Sequence, residues 1–271
     1  MTSIINFRIV YLLVSIIILP LLGYSQTSLS VSPPRTYFTL GPGQTETKKI
    51  LVTNPSKTQT LELSVSFNDW EYDSLGNNIL TGAGSLKTSA AEWIEILPQS
   101  FFSLAPGASH ELNVRMRIPE NLDPEVPVHT AMIFLTQINP SDGLDERGAN
   151  IKIAVRSGVK IYHRNSVARD ANLEVTGFSY QKDDPAKLRF EFENLGNVWS
   201  DGTISCELLN QETGKKTKLE DVVFYSMPGD KRTVYFNLPE DLSKGKYIAT
   251  ALVDYEHASA VKIAELSFSY D

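Results

Sequence analysis

Leu104–Leu122 reads "LAPGASHELNVRMRIPENL": a Pro-Gly turn, a run of alternating apolar and polar residues, then Pro-Glu and a short polar link. Ser226–Leu242, "SMPGDKRTVYFNLPEDL", follows the same order. Each copy leads into a further strand pattern, "HTAMIFLTQ" after the first and "YIATALVDY" after the second. Upstream, "ILVTNPSKTQTLELSV" and "FEFENLGNVWSDGTISCEL" also correspond, each being strand, Asn-containing turn, strand. Alternation with period two puts one face of a strand on a core. Repetition of such a unit means two copies of one all-β structure. Pro42-Gly43 supplies a third Pro-Gly turn near the start of the first copy.

The two copies set the boundaries. A polar stretch, "RNSVARD" (Arg164–Asp170), separates them. We read domains over 26–163 and 169–271, joined by a linker at 164–168, each a β-sandwich punctuated by Gly, Pro and Asn turns. So short a joint holds the sandwiches within a limited range of angles, with a cleft between them. Residues 1–25 stand apart. One cation (Arg8) precedes the apolar run Ile9–Leu22, and Gly23 and Ser25 put small residues at the −3 and −1 positions before Gln26. That is a secretory signal peptide cut after Ser25; the run falls short of the roughly 20 residues a membrane span needs.

The formal net charge is −7, and one unit more negative once Arg8 leaves with the signal peptide. A mildly acidic surface argues against nucleic acid as a partner. Cys206 is the only cysteine, so no internal disulfide forms, and its alternating setting in "TISCELL" marks a buried core residue. The four histidines, His110, His129, His163 and His257, lie far apart without metal-ligand spacing. No nucleophile motif, P-loop or dinucleotide fingerprint occurs, so no enzyme, metal or cofactor is expected. The acids of "PSDGLDERG" (Pro140–Gly148) lack the ligand alternation of a calcium loop and read as a solvated hairpin, and Asp183-Asp184 reads as a turn. Trp70, Trp93 and Trp199 are taken as core or edge packing rather than a sugar platform.

Asn150–Arg164, "NIKIAVRSGVKIYHR", is the last strand pattern of the first domain. Ile151, Ile153 and Val155 share one face. Ser157 and Gly158 interrupt the stripe, where Gly marks a bulge. Val159 and Ile161 resume it, with Lys160, Tyr162 and Arg164 pointing the opposite way. The preceding "SDGLDERGAN" is a long polar loop able to order on binding. On alternation alone, the simplest reading is a core strand with solvated charges at its end.

With "SVSPPRTYFTL" and its Arg35 at the start of the first domain, the arrangement resembles the PapD-like periplasmic pilus chaperones. In that family an early strand carries an Arg, and the first domain's last strand bears an apolar trio nine, seven and five residues before a cleft Lys. Ile151, Ile153 and Val155 stand at those spacings from Lys160, and Arg164 completes a Lys-x-x-x-Arg element as an auxiliary cation. The resemblance implies two immunoglobulin-like β-sandwich domains in an L-shaped arrangement with an interdomain cleft. It further implies an ATP-independent periplasmic chaperone. Arg35 and Lys160 would bind the C-terminal carboxylate of an exported pilus or surface-fibre subunit, and the trio would form the client edge strand. An outer-membrane assembly protein and self-association through the exposed edge are the other partners implied. The sequence departs from the family's Glu-Ser-type signature, carrying His129 and Thr130 there, and Pro33-Pro34 are expected to limit pairing of the Arg35 strand. The alternative is a non-catalytic two-domain Ig-like surface adhesion or scaffold protein.

Overall fold

The computed structural model describes residues 29–165, 170–182, 185–256 and 261–271. The signal peptide 1–25, linker residues 166–168, Asp183-Asp184 and His257 lie outside the described residues. No helix among the described residues is long and apolar enough to cross a membrane.

The first unit runs through β1 (Ser30–Ser32), β2 (Arg35–Thr39), β3 (Thr45–Thr53), β4 (Leu61–Tyr72), β5 (Asn78–Gly82) and β6 (Ile94–Leu97). It continues with β7 (Phe101–Leu104), β8 (Ser109–Arg117), β9 (Val128–Gln137), β10 (Ser141–Leu144), β11 (Asn150–Ile153) and β12 (Arg156–Arg164). One sheet has the order β1-β3-β8-β6 and the other β2-β12-β9-β4-β5, with β7 also on β4. Between them lies a core that includes Phe38, Ile50, Leu112, Ile133, Val159 and Ile161. The second unit contains β13 (Leu173–Gln181), β14 (Lys187–Asn194), β15 (Ser200–Asn210), β16 (Lys216–Lys218), β17 (Val222–Ser226), β18 (Lys231–Asn237), β19 (Gly245–Tyr255) and β20 (Lys262–Tyr270). Its sheets are β13-β14-β18 and β16-β15-β19-β20, with β17 on β15. Its own core includes Phe190, Phe192, Leu208 and Phe236. No strand pairing crosses between the units among the described residues. The architecture is all-β, in two sandwiches.

The repeated sequence unit makes the same hydrogen bonds twice. Asn54 and Asn194 are both buried. Gly107 N–H donates to Asn54 O at 3.0 Å, and Gly229 N–H donates to Asn194 O at 2.8 Å. Each Asn amide also donates to a carbonyl of its own turn, Gln59 O at 2.8 Å and Val198 O at 3.1 Å. The Pro-Gly turns place Gly43, Gly107 and Gly229 at φ of 72, 70 and 83°, a region in which a Cβ is strained. Cys206 is buried in β15, and burial pushes its thiol up to about 12.

Two local expectations need correction. β2 pairs with β12 only from Arg35 onward, directly after Pro33-Pro34, as expected where prolines precede a strand. Pro34 O still accepts the Lys160 N–H at 3.1 Å. Gly158 is no bulge: it pairs regularly with Phe134, and a Cβ there would meet the Phe134 ring at 3.0 Å and Met132 Sδ at 3.1 Å. The break comes earlier, at Ala154–Val155, between β11 and β12. The polar loop is also already ordered, as the β10–β11 ribbon with Asp145 capping its turn.

β9 is buried along nearly its whole length, on both faces. Ala131, Ile133 and Leu135 enter the first core, whereas Met132 and Phe134 join Trp70 and Tyr162 in a second cluster on the outer face of the sheet. Trp199 and Met227 of the second unit pack against that cluster. A strand so apolar on both sides needs a cover on its outer face, and the second unit provides it. The cleft between the units includes a cavity of ≈ 330 Å³ bordered by Trp70, Tyr72, Thr130, Met227 and Asp230.

Candidate functional site

Three features converge on the end of β12. The first is a pair of cations. Lys160 and Arg35 are Cα partners in the parallel β2–β12 pair, so their side chains leave the sheet on one face. Lys160 Nζ donates to Tyr72 Oη at 2.9 Å and lies 4.0 and 4.2 Å from the ring centroids of Trp70 and Tyr72. The Arg35 guanidinium lies 4.1 Å over Tyr225 of the second unit, and its Nε is buried with no acceptor among the described residues. Burial pushes the Lys160 ammonium down to about 7, helped by the Arg35 and Arg232 charges. Among the described residues no carboxylate forms a salt bridge with either cation. Arg164 lies at the far end of the same face, 5.5 Å over Trp199.

The second feature is an open edge. β12 pairs with β9 along its whole length, but β2 covers only Lys160–Arg164. From Arg156 to Val159 no described strand pairs with β12 on that side, and β11 is paired with β10 alone. Since the Lys160 N–H faces Pro34, alternation turns the backbone groups of Gly158 and Arg156 to the open side. Val155 turns the other way, accepting from Gln137 N–H at 2.9 Å.

The third is the apolar stripe. Val159 and Ile161 are fully buried, worth roughly 1.5–3 kcal/mol each to the first core. Upstream on the same period-two face, Val155 is half-buried, while Ile153 and Ile151 are 41% and 38% exposed. Their side chains close over Gly143 of β10, where a Cβ would meet Ile153 Cδ1 at 2.5 Å. This is a core stripe prolonged past the rim of its core.

The sequence pointed to Arg35, Lys160 and the trio, and the fold gathers them along one strand edge. It did not point to Trp70, Tyr72, Tyr225 or Arg232. Trp70 and Tyr72, two apart in "NDWEY", carry the signal of a shared face. Arg232 carries none, because its place depends on how the units dock. Its guanidinium is buried, donates to Tyr225 O and lies 5.0 Å from the Tyr72 centroid. His129 and His163, remote in sequence, are Cα partners across β9 and β12, with Trp93 against both. Among the described residues no group of three or more His, Cys, Asp or Glu is placed to hold a metal.

No protein-family model matches the chain, and no curated protein matches it. Among solved structures it is similar to the YadV chaperone, at 10% identity and a TM-score of 0.46, over 89% of this chain and 99% of that one. It is also similar to a chain of the CsuC–CsuE chaperone–tip adhesion subunit pre-assembly complex from archaic chaperone-usher Csu pili of Acinetobacter baumannii. That match has 11% identity and a TM-score of 0.46, covering 88% of this chain and 97% of that one. The E. coli chaperone DraB aligns at 15% identity and a TM-score of 0.44, over 90% and 96% of the two chains. At these identities and scores, the functional reading rests on the geometry of the site.

Proposed function

We propose that this chain is an ATP-independent periplasmic chaperone that binds exported pilus-type or surface-fibre subunits by strand addition. The observation that carries the reading is the open edge of β11 and β12, which stops at Pro34 where two unpaired cations stand. An added strand there lies in line with β2 and takes its place along Arg156–Val159. If it runs parallel to β12, as β2 does, its C-terminus arrives at Arg35 and Lys160. Run antiparallel, it would bring an ammonium to two cations. The edge therefore selects a C-terminal segment.

Chemistry fits that direction. A carboxylate offers acceptors to the orphaned Arg35 Nε and to the Lys160 ammonium, and charge-assisted bonds of this kind are worth roughly 1.5–3 kcal/mol each. Ile151, Ile153 and Val155 supply a stripe for a client core that lacks a strand, roughly 4–9 kcal/mol before ordering costs. The stripe would dominate affinity and the cations would set register. No nucleotide is required, because the client's own burial drives capture. Covering an open apolar edge is also what a second copy or an outer-membrane assembly protein would do, so both belong to the same reading.

The test is a pull-down from a periplasmic extract with wild type, Arg35→Ala/Lys160→Ala and Ile153→Asp. Loss of the same exported partner by both folded variants is the expected result. Unchanged partners would favour a two-domain adhesion or scaffold protein.

A further inference from the structure

Lys160 is a cation held among cations. The Arg35 charge from β2 and the Arg232 charge from the second unit act on it, Tyr72 of β4 accepts from it, and Tyr162 lies two residues along its own strand, while Tyr225 of the second unit lies against Arg35. It donates to a neutral phenol oxygen, Tyr72 Oη, 2.9 Å away. Asp230 accepts from the Met227 N–H at 2.7 Å and acts on Arg232. Burial pushes that carboxyl up to about 6, which weakens it further as a counter-charge. Tyr72 sits between the two units' cations, 4.2 Å from Lys160 Nζ and 5.0 Å from Arg232 Cζ, measured from its ring centroid.

Resting on the reading above, we propose that Tyr72 and Arg232 are positioning residues of the carboxylate site, and that capture of a C-terminus is coupled to uptake of one proton at Lys160. The neutral amine of the empty site takes a proton from solvent and becomes an ammonium as the carboxylate arrives. The two charges then enter the cleft as a pair, and neither is buried alone. Arg35, always charged, makes the first contact. Arg232 lies behind Tyr72 and keeps Lys160 from charging early. Burial and the two guanidinium charges place Lys160 near neutrality, which is consistent with this arrangement.

The mature chain is treated with trace acetic anhydride across a pH series, and acetylation at Lys160 is read by mass spectrometry. The expected midpoint in the free protein lies near pH 7, well below that of an ordinary lysine. Arg232→Met should raise that midpoint and Arg232→Lys restore it, a response that a merely structural role would not give. Tyr72→Phe, which removes the acceptor, should lower it.

Two probe peptides then separate this proposal from its premise. Both are N-acetylated nonapeptides of alternating valine and serine, one a free acid and one a C-terminal amide. The free acid should raise the Lys160 midpoint. Calorimetry in two buffers should read about three-quarters of a proton taken up at pH 7.5. A free-protein midpoint above about pH 9 overturns the proton coupling, while a preference for the free acid keeps the chaperone reading. Equal binding of acid and amide overturns the carboxylate anchor itself, whatever the midpoint.

Discussion

Lys160 and Arg35 stand side by side at the one place where β12 changes from a free edge to a paired one. Removing both leaves every core residue in place, so the fold should persist. Each lost charge-assisted bond costs roughly 1.5–3 kcal/mol, or about tenfold to a hundredfold in affinity for a C-terminal segment. Titrating the free-acid peptide into Arg35→Ala and Lys160→Ala should show losses of that size. Circular dichroism and melting should stay close to wild type.

Ile153 of β11 and Ile161 of β12 carry the same side chain in one period-two pattern, one exposed and one with no exposure at all. Ile153→Asp should shift stability by no more than about 0.5 kcal/mol, because it buries no charge. It should nonetheless abolish client capture. Ile161→Asp places an unpaired carboxylate in the core and should leave little folded protein. If Ile153→Asp also unfolds the chain, the stripe belongs to the first core and the open edge is not a binding surface.

The contrast between those two isoleucines also shows where sequence stops being informative. Alternation assigns Ile151, Ile153, Val155, Val159 and Ile161 to one face, but cannot say where the opposing sheet ends. Nor can it say that β2, in the same sheet, covers only five residues of β12 and leaves the rest of that edge open. The two-unit organisation was legible because the Pro-Gly and Asn turns recur with their local chemistry, and that chemistry is short-range. The floor under Lys160 was not. Trp70 and Tyr72 reach it from β4 through β9, and Arg232 from the other unit. Such neighbours are set by sheet order and docking, on which period-two patterns are silent. The Gly158 error has the same origin: its missing side chain answers Phe134 and Met132 across the ladder, not a local bend.

His129 offers a pH prediction. It is 4% exposed, its ring tilted against Trp93 at 4.4 Å between centroids, and burial with the neighbouring His163 lowers its pKa to about 4. An unfolded chain binds that proton near pH 6.5, so between about 6.5 and 4 the unfolded state holds more protons than the folded one. Stability is therefore full above about 6.5 and falls as pH drops, by up to about 3 kcal/mol from this group once pH is below 4. His163, also lowered by burial, acts with the same sign. Urea melts from pH 7.5 to 4 should show the decline, and His129→Phe should flatten it. An equally steep decline in the variant would assign the acid sensitivity to other groups.

Gly76 of the first unit lies against Arg232 of the second. The Asp73–Asn77 turn places Gly76 at φ +90°, where a Cβ would lie 2.0 Å from Arg232 Nη2. Beside it, Thr233 N–H donates to Ser74 O at 2.7 Å, a backbone bond between the units. Gly76→Ala should therefore push Arg232 out, break that bond and widen the range of interdomain distances seen by small-angle scattering. Gly107→Ala is the control: its φ of +70° is strained in the same way, yet nothing lies within 4 Å of the added Cβ. Both variants carry about 1 kcal/mol or more of backbone strain. Only Gly76→Ala should also loosen the joint, and with Arg232 displaced from Tyr72 it should weaken capture of the free-acid peptide. Identical scattering profiles for the two variants would mean that the units are held elsewhere.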